Sequence, residues 1–356
     1  VVARGEAQDK DRDKVRDAGQ RSLTMARTQV LMIGGTGVIS TDCVLYAMQR
    51  DEFDIHLLNR GRTPSFLPPG VKTITCDISD ADAANQALEG RQFDIVCDFI
   101  SYTPDQLAAK LALLRGRCRH YIFISSIIAY RPSAHVLKTE SNSHIGNANW
   151  DYGWNKSLCE ELLRQEAAET GLHFTIVRPG YTCNRVRFFS AWRISHWRSW
   201  TIAERLLKGK PIILHDDGMQ LCTVTHTTDF AKAFVGLWDN PAALDADFHI
   251  TSDQHLTWRR VAEIEADVLG VAPVFHCVPS EQICFVVGHS AAQKVVHASA
   301  HDCYDSSKVR AAVPEFRCTT DLETGIADSV RFYHDHPEHQ VIDEWWDGKF
   351  DEMAGL

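Results

Sequence analysis

The chain of 356 residues contains no apolar run approaching the ~18 residues that a membrane-spanning helix needs. It has no C-x-x-C pair. Its eleven cysteines stand singly between Cys43 and Cys318, and the nearest two are Cys277 and Cys284. An odd number of scattered thiols reads as free cysteines in a reducing compartment, so the default location is the cytoplasm. Positive charge is in deficit, with 37 Lys and Arg against 47 Asp and Glu and a formal charge of −10. That balance argues against a nucleic-acid binder working through bulk positive charge, although a local basic pocket stays open. Residues 1–24 lack the apolar core of a secretory signal, and their five acidic residues count against a transit peptide. They read as a disordered or added leader, with Met25 as a native start. Internal repeats are absent.

What is present is an ordinary globular composition, 44 % apolar and 24 % charged. It excludes global disorder and collagen-like structure. The length suits two domains, or one large α/β unit with an appended lobe. From residue 29 strand and helix patterns alternate. Strands are expected at Gln29 to Ile33, Phe53 to Leu58, Val71 to Thr75, Phe93 to Ile100, His120 to Ser125 and Phe174 to Val177. Helices are expected from the glycine turn to about Met48, at Ala81 to Leu88, Gln106 to Leu114 and Tyr152 to Thr170. This alternation predicts a doubly wound parallel sheet with right-handed crossovers, covered on both faces. After residue 180 the rhythm weakens. Helical patterns fall at Ile202 to Leu207, Asp229 to Trp238, Trp258 to Leu269, Ser306 to Ala312 and Leu322 to His334; Thr223 to His226 and Phe248 to Thr251 read as strands. The expected division is a Rossmann-type domain over residues 25–180 and a smaller mixed lobe over 181–356, with 223–250 returning to the first domain.

The first strand runs into Gly34-Gly35-Thr36-Gly37-Val38-Ile39-Ser40. A glycine turn between a first strand and a helix lets the backbone approach a pyrophosphate, and the helix amides then point at the anion. Ser40 stands where a third glycine is common, a small departure. The second strand ends in Asn59-Arg60-Gly61-Arg62, 22 residues beyond Gly37. A carboxylate there would hold the ribose diol of NAD. Asn59 is neutral and Arg60 could meet a 2′-phosphate, which favours NADP; a solvated loop cation is the plainer reading of Arg60. Asp77 could accept a hydrogen bond from adenine, or simply serve a turn or a helix N-cap.

Tyr152-Gly-Trp-Asn-Lys156 places a phenol and an ammonium on one helix face. The ammonium stabilises the phenolate, so the phenol can exchange a proton with a substrate hydroxyl while hydride moves to or from a nicotinamide. Lys156 would also reach the nicotinamide ribose. Ser125-Ser126 closes the fifth strand, at the edge of a parallel sheet where ligands sit, and Ser126 could hold the substrate oxygen. Asp98 could touch the nicotinamide ribose or a substrate hydroxyl, or make a buried structural hydrogen bond.

These residues together resemble an extended short-chain dehydrogenase/reductase of the NAD-dependent epimerase/dehydratase superfamily. The motifs that match are the glycine turn, Asp77, Ser125-Ser126 with Tyr130, Tyr152/Lys156, Arg178-Pro179-Gly180, and Asp217-Gly218 leading to Thr225-His226-Thr227-Thr228-Asp229. The resemblance spans roughly residues 29–330. The Asn59-Arg60-Gly61 ending and the tail from Tyr304 to Glu338 are also similar to a dehydratase-like bacterial branch and to the chloroplast stem-loop RNA-binding proteins. The resemblance implies a cofactor set of Gly34, Gly35, Thr36, Gly37, Val38, Ile39, Asn59, Arg60, Asp77, Ile78, Tyr152, Lys156 and Pro179. It implies catalysis by Ser126, Tyr152 and Lys156, and a homodimer. One departure bears on the reaction. The 4,6-dehydratases carry an Asp-Glu pair after the catalytic hydroxyl, and here Ile127-Ile128 can neither donate nor accept a proton.

In related enzymes the segment after residue 180 lies beside the substrate. Here Arg185, Arg187, Arg193 and Arg198 alternate with Phe188, Phe189, Trp192, Trp197 and Trp200. Arginines clamp phosphate and rings stack on a base or sugar face; a lobe core with solvated arginines is the competing reading. The expected substrate set is therefore Ser126, Arg185, Arg193 and Arg198. His226 and Asp229 read as a strand-to-helix junction, and His334, His336 and His339 as surface histidines, with no metal site. The expected activity is hydride transfer on a hydroxyl or keto carbon of a phosphate-bearing, nucleotide-sugar-like substrate. A reductase of a small ketone or aldehyde and an RNA-binding protein on the same fold are the alternatives.

Overall fold

Strand β1, Thr28–Ile33, shows how the main sheet is built. Val30 and Met32 point into one apolar cluster, and Leu31 and Ile33 into another. A strand buried on both faces must be apolar at every position, and such strands belong to parallel sheets covered by helices. In the computed structural model, which describes residues 26–61, 67–133, 135–192, 194 and 196–356, β1 is joined by β2 (Phe53–Asn59), β3 (Lys72–Thr75), β4 (Phe93–Asp98), β5 (Cys118–Ile124), β6 (His173–Pro179) and β7 (Ala246–Ile250). Their spatial order is β3-β2-β1-β4-β5-β6-β7, all parallel. The order reverses between β1 and β4. A crevice therefore opens beyond the carboxyl ends of these two strands, where ligands bind in open α/β sheets.

Helix α1 (Ser40–Ala47) follows the glycine turn. It lies on one face of the sheet with Thr227–Gly236, where Cys43, Val44 and Ala47 share a core with Phe230 and Phe234. Helices α2 (Ala81–Ala87), α3 (Pro104–Leu114) and α4 (Asp151–Thr170) run in the connections after β3, β4 and β5. Leu107 and Leu111 of α3 and Cys159 and Leu163 of α4 cover the other face. The Rossmann-type strand order and the helical cover match the doubly wound sheet read from the sequence.

The remaining chain forms a mixed lobe. Strands Tyr181–Cys183, Leu221–His226 and His255–Thr257 make a small sheet, parallel in its first pairing and antiparallel in its second. Ile212–His215 pairs with Phe275–Val278, and Leu137–Lys138 with Cys303–Tyr304. The core beneath them contains Phe188, Trp192, Trp200, Trp258, Tyr333, Trp346 and Phe350. Ile127, Ile128 and Tyr130 belong to that same core. The turn after β5 is thereby packed into the lobe, which fixes it against the crevice.

Candidate active site

The glycine turn is shaped by contacts that no side chain could replace. Gly34 has φ +84°, and a Cβ there would lie 2.4 Å from Ile100 Cγ2. Ser40 staples the turn. Its hydroxyl donates to Gly34 O at 2.6 Å and accepts the Gly37 N–H at 2.8 Å. No side chain caps the start of α1, where the Thr41 N–H bonds the Gly37 carbonyl at 3.1 Å. Beside the turn lies a cavity of about 710 Å³. Its walls include Gly34, Thr36, Gly37 and Val38, then Asn59 and Arg60, and Asp77 with Ile78. The Asn59 side-chain oxygen accepts the Gly61 N–H at 2.9 Å. Arg60 Nη1 stands 4.0 Å from an Asp77 carboxylate oxygen, and Asp77 accepts the Ser79 N–H and hydroxyl. Asp80, not Asp77, caps α2.

A second cavity of about 550 Å³ shares Gly34, Gly37, Val38, Ile100 and Tyr102 with the first. Ser126, Tyr152 and Lys156 all lie in its wall, with Ile39 and Pro179. The helix that carries the phenol and ammonium sits hard against the turn that carries the hydroxyl. A Cβ on Gly153 would come within 2.4 Å of the Ile128 carbonyl oxygen. Asn147 Nδ2 donates to that same carbonyl at 2.9 Å, and the Ser157 hydroxyl reaches Ala129 O at 3.1 Å. Glycine inside the Tyr-x-x-x-Lys segment thus lets α4 dock closely.

The two serines at the end of β5 differ in their bonding. Ser125 donates its proton to Glu160 at 2.5 Å. Glu160 is fully buried and gripped by Arg178 through two hydrogen bonds, at 2.8 and 2.6 Å. Arg178 also donates to Tyr130 Oη and Asp247. This is a structural network behind the site. Among the described residues Ser126 Oγ accepts from the Ile128 N–H at 3.2 Å and donates to none.

Lys156 is 1 % exposed. Its Nζ donates to Ser101 O and Ile124 O, both at 2.7 Å. It lies 5.8 Å from the Tyr152 ring centroid and 5.1 Å from that of Tyr102. Burial pulls its pKa down to about 8, opposed by the nearby Asp98 carboxylate. Asp98 is fully buried and lines neither cavity. It accepts the N–H groups of Ile100 and Ser101, the Ser101 hydroxyl and the Tyr121 phenol, which is the structural role weighed for it.

The arginines after residue 180 separate. Arg185 lines the first cavity and Arg187 the second. Arg198 lines neither and stands 4.0 Å from Asp343. Arg193 falls outside the described residues. Phe188, Trp192 and Trp200 are core residues of the lobe. Gly35 lines neither cavity; a Cβ there would strike Leu57 at 2.7 Å, so it serves helix and strand packing. Tyr102, Trp150, Tyr181 and Phe189 complete the second cavity. Phe189 belongs to the arginine-aromatic segment read from the sequence; no pattern singles out the other three, except that Trp150 stands two residues before Tyr152. Among the described residues lining the second cavity there is no carboxylate.

The family described as NAD dependent epimerase/dehydratase matches residues 30–251. The chain belongs to that family. As a member it is an NAD-dependent oxidoreductase or epimerase. It is 25 % identical over 248 residues to the 2'-dehydrokanamycin reductase of Streptomyces kanamyceticus, which covers 68 % of this chain and 67 % of that protein. It is 23 % identical over 268 residues to the chloroplast stem-loop binding protein of 41 kDa b of Arabidopsis thaliana, covering 71 % of this chain and 67 % of that protein. The structure of UDP-glucose 4-epimerase from Bifidobacterium longum, in complex with NAD+ and UDP, matches with a TM-score of 0.69 at 16 % identity. That match covers 88 % of this chain and all of the other, and it shows the fold. The family's cofactor fits the residues present. A glycine-rich turn, a helix start with no side-chain cap and two cavities that share the turn suit a dinucleotide laid across the crevice. No helix among the described residues is long and apolar enough to cross a membrane.

Proposed function

We propose that this enzyme oxidises or reduces a ring carbon of a nucleotide-sugar-like substrate, between hydroxyl and ketone, with Tyr152 as proton carrier. One observation carries the reading. Tyr152, Lys156 and Ser126 lie in the wall of one cavity, and that cavity shares Gly34, Gly37 and Val38 of the glycine turn with a second. Nicotinamide supplies hydride acceptance or donation there. Ser126 holds the reacting oxygen, Tyr152 takes or returns its proton, and Lys156 stabilises the phenolate and orients the ribose. Tyr102, Trp150, Tyr181 and Phe189 offer faces on which a sugar ring stacks, and Arg187 offers a clamp for phosphate. The relative named 2'-dehydrokanamycin reductase supports oxidation-reduction chemistry, and the neighbour solved with UDP supports the substrate class. Ile127 and Ile128 are buried and apolar at the position where the dehydratases keep an acid pair, which supports hydride transfer without loss of water.

Arg60 beside the first cavity, and the lack of a carboxylate at the end of β2, support a preference for NADP. Incubation with UDP-glucose or UDP-galactose and either dinucleotide tests the reading. Interconversion without accumulation of reduced cofactor marks an epimerase, and stoichiometric reduced cofactor marks a dehydrogenase. A chain inert towards these and towards dTDP- and GDP-sugars refutes the nucleotide-sugar assignment. A small ketone or aldehyde as substrate is the second reading. It is favoured by Arg198, which pairs with Asp343 outside both cavities. Under that reading Arg187→Ala leaves the substrate KM nearly unchanged, whereas phosphate recognition raises it steeply.

A further inference from the structure

A second lysine is built into the floor of the site. Lys110 projects from α3 and is 5 % exposed, yet it is not packed as a mere stem. Its Nζ donates to the Ser101 hydroxyl at 2.6 Å and lies 3.6 Å from an Asp98 oxygen. Ser101 passes its own proton to the other Asp98 oxygen at 2.5 Å, and its backbone carbonyl receives Lys156 Nζ. Lys110, Ser101 and Asp98 therefore form one hydrogen-bonded unit whose outlet is the carbonyl that aims Lys156. Lys110 also borders the first cavity.

The charges facing Lys156 can be counted element by element. The end of β4 gives Asp98, the turn after it gives the Tyr102 phenol, and α3 gives Lys110. Its own helix gives Tyr152, Cys159 and Glu160, and β5 gives only the Phe123 ring and the Ile124 carbonyl. Glu160 is already neutralised by Arg178. That leaves two lysines and one carboxylate, none more than 5 % exposed, an excess of one positive charge. A surplus of this sign stabilises an anion on the phenols beside Lys156, which among the described residues are Tyr152 on its own helix and Tyr102.

We propose that Lys110 is a positioning residue for the reaction: through Ser101 and Asp98 it aims Lys156 and keeps the charge beneath Tyr152 positive. The proposal rests on the oxidoreductase reading for its purpose, but its physical content does not need a substrate. With Lys110 replaced by a neutral residue, Asp98 is left to Lys156 alone, the surplus disappears, and the phenolate loses support.

The test is a spectrophotometric tyrosinate titration, read as the difference between the chain and its Tyr152→Phe variant. It is made in three backgrounds: wild type, Lys110→Met and Lys110→Arg. The Tyr152 midpoint is expected to rise by roughly half to one pH unit in Lys110→Met and to return towards wild type in Lys110→Arg, which keeps the charge. An unchanged midpoint in a folded Lys110→Met protein overturns the proposal. Lys110→Gln, which keeps a hydrogen bond to Ser101 without the charge, provides the same reading if the methionine variant does not fold. Turnover of UDP-sugars is measured separately. Loss of that activity in the wild type removes the substrate reading and leaves the titration result standing.

Discussion

The two cavities that meet at Gly34 and Gly37 are built on different principles. The first is lined by groups of both signs, with Asp42, Asp77 and Asp105 against Arg60, Lys110 and Arg185, and Arg60 and Asp77 in its wall are open to solvent. Where it meets the glycine turn, its wall is Gly34, Thr36, Gly37 and Val38. The second has no carboxylate among its described lining residues and holds a lysine that water barely reaches. Backbone amides tolerate exchange of the side chains around them. A buried ammonium next to a phenol does not, because low dielectric magnifies each charge. Under the proposed function the first cavity binds without doing chemistry, and the chemistry belongs to the second. It also predicts that mutations in the two regions fail in different ways.

The sharpest way to break that separation is Tyr152→Phe. The ring, its contacts with Trp150 and Tyr102, and the fold remain, while the proton carrier is gone. Turnover is expected to fall about 10²- to 10⁴-fold, with dinucleotide affinity, measured by calorimetry, unaltered. Rates close to wild type would return the catalytic role to another group. Gly153→Ala comes next. The added methyl must push α4 away from the Ile128 carbonyl, which misplaces Tyr152 relative to Ser126. A shift near 1 Å costs about 100-fold in rate, and kcat is expected to fall with little change in cofactor affinity. Equal loss of both would mean that the two cavities share one support.

How these features were written in the sequence differs between the regions in the same manner. The glycine turn, Ser125-Ser126 and Tyr152 with Lys156 are contiguous patterns, and the chemistry of each is fixed by neighbours within a few residues. Strand and helix alternation revealed the main sheet because its central strands are apolar runs, whereas β3 at the edge buries only Ile74. The lobe gave no such signal. Ile212–His215 is short and pairs with Phe275–Val278 across a long stretch of chain, and the helices Ser280–Val287 and His289–Ala298 were not apparent at all. Phe188, Trp192 and Trp200 alternate with arginines in the sequence, and only packing decides that they fill a core while Arg187 turns to the cavity. Lys110 reads as one more charged residue on a helix. Its meaning comes from Asp98 and Ser101, which approach it only in three dimensions.

A pH profile sharpens the comparison further. Lys156 is charged below about pH 8 and loses its proton above it, because burial disfavours the ammonium. Support for the phenolate is present on the acid side and fades as pH rises through that value. The kcat of alcohol oxidation is expected to decline above about pH 8, while dinucleotide binding at the first cavity stays level. In Lys156→Arg, whose guanidinium keeps its charge throughout, the alkaline decline should disappear. A decline that persists there would assign the limb to a different group.

The smallest effect concerns Arg60. Its side chain is 59 % exposed and its nearest acidic partner, Asp77, stands at 4.0 Å, the outer limit of an ion pair. Exposed pairs of this kind are worth up to about 1 kcal/mol, so Asp77 holds Arg60 only weakly and a 2′-phosphate can draw it away. If Arg60 reads that phosphate, Arg60→Ala weakens NADP by roughly five- to tenfold and leaves NAD nearly untouched, with the contrast shrinking as salt is added. Equal small losses for both dinucleotides would show Arg60 to be a solvated loop cation. Cofactor choice would then lie with Asn59, whose side-chain oxygen is already engaged by the Gly61 amide, and with the backbone that follows it. Because Arg60 acts on binding alone, kcat at saturating cofactor should not move in either case, and that constancy is what places it in the first cavity's half of the comparison.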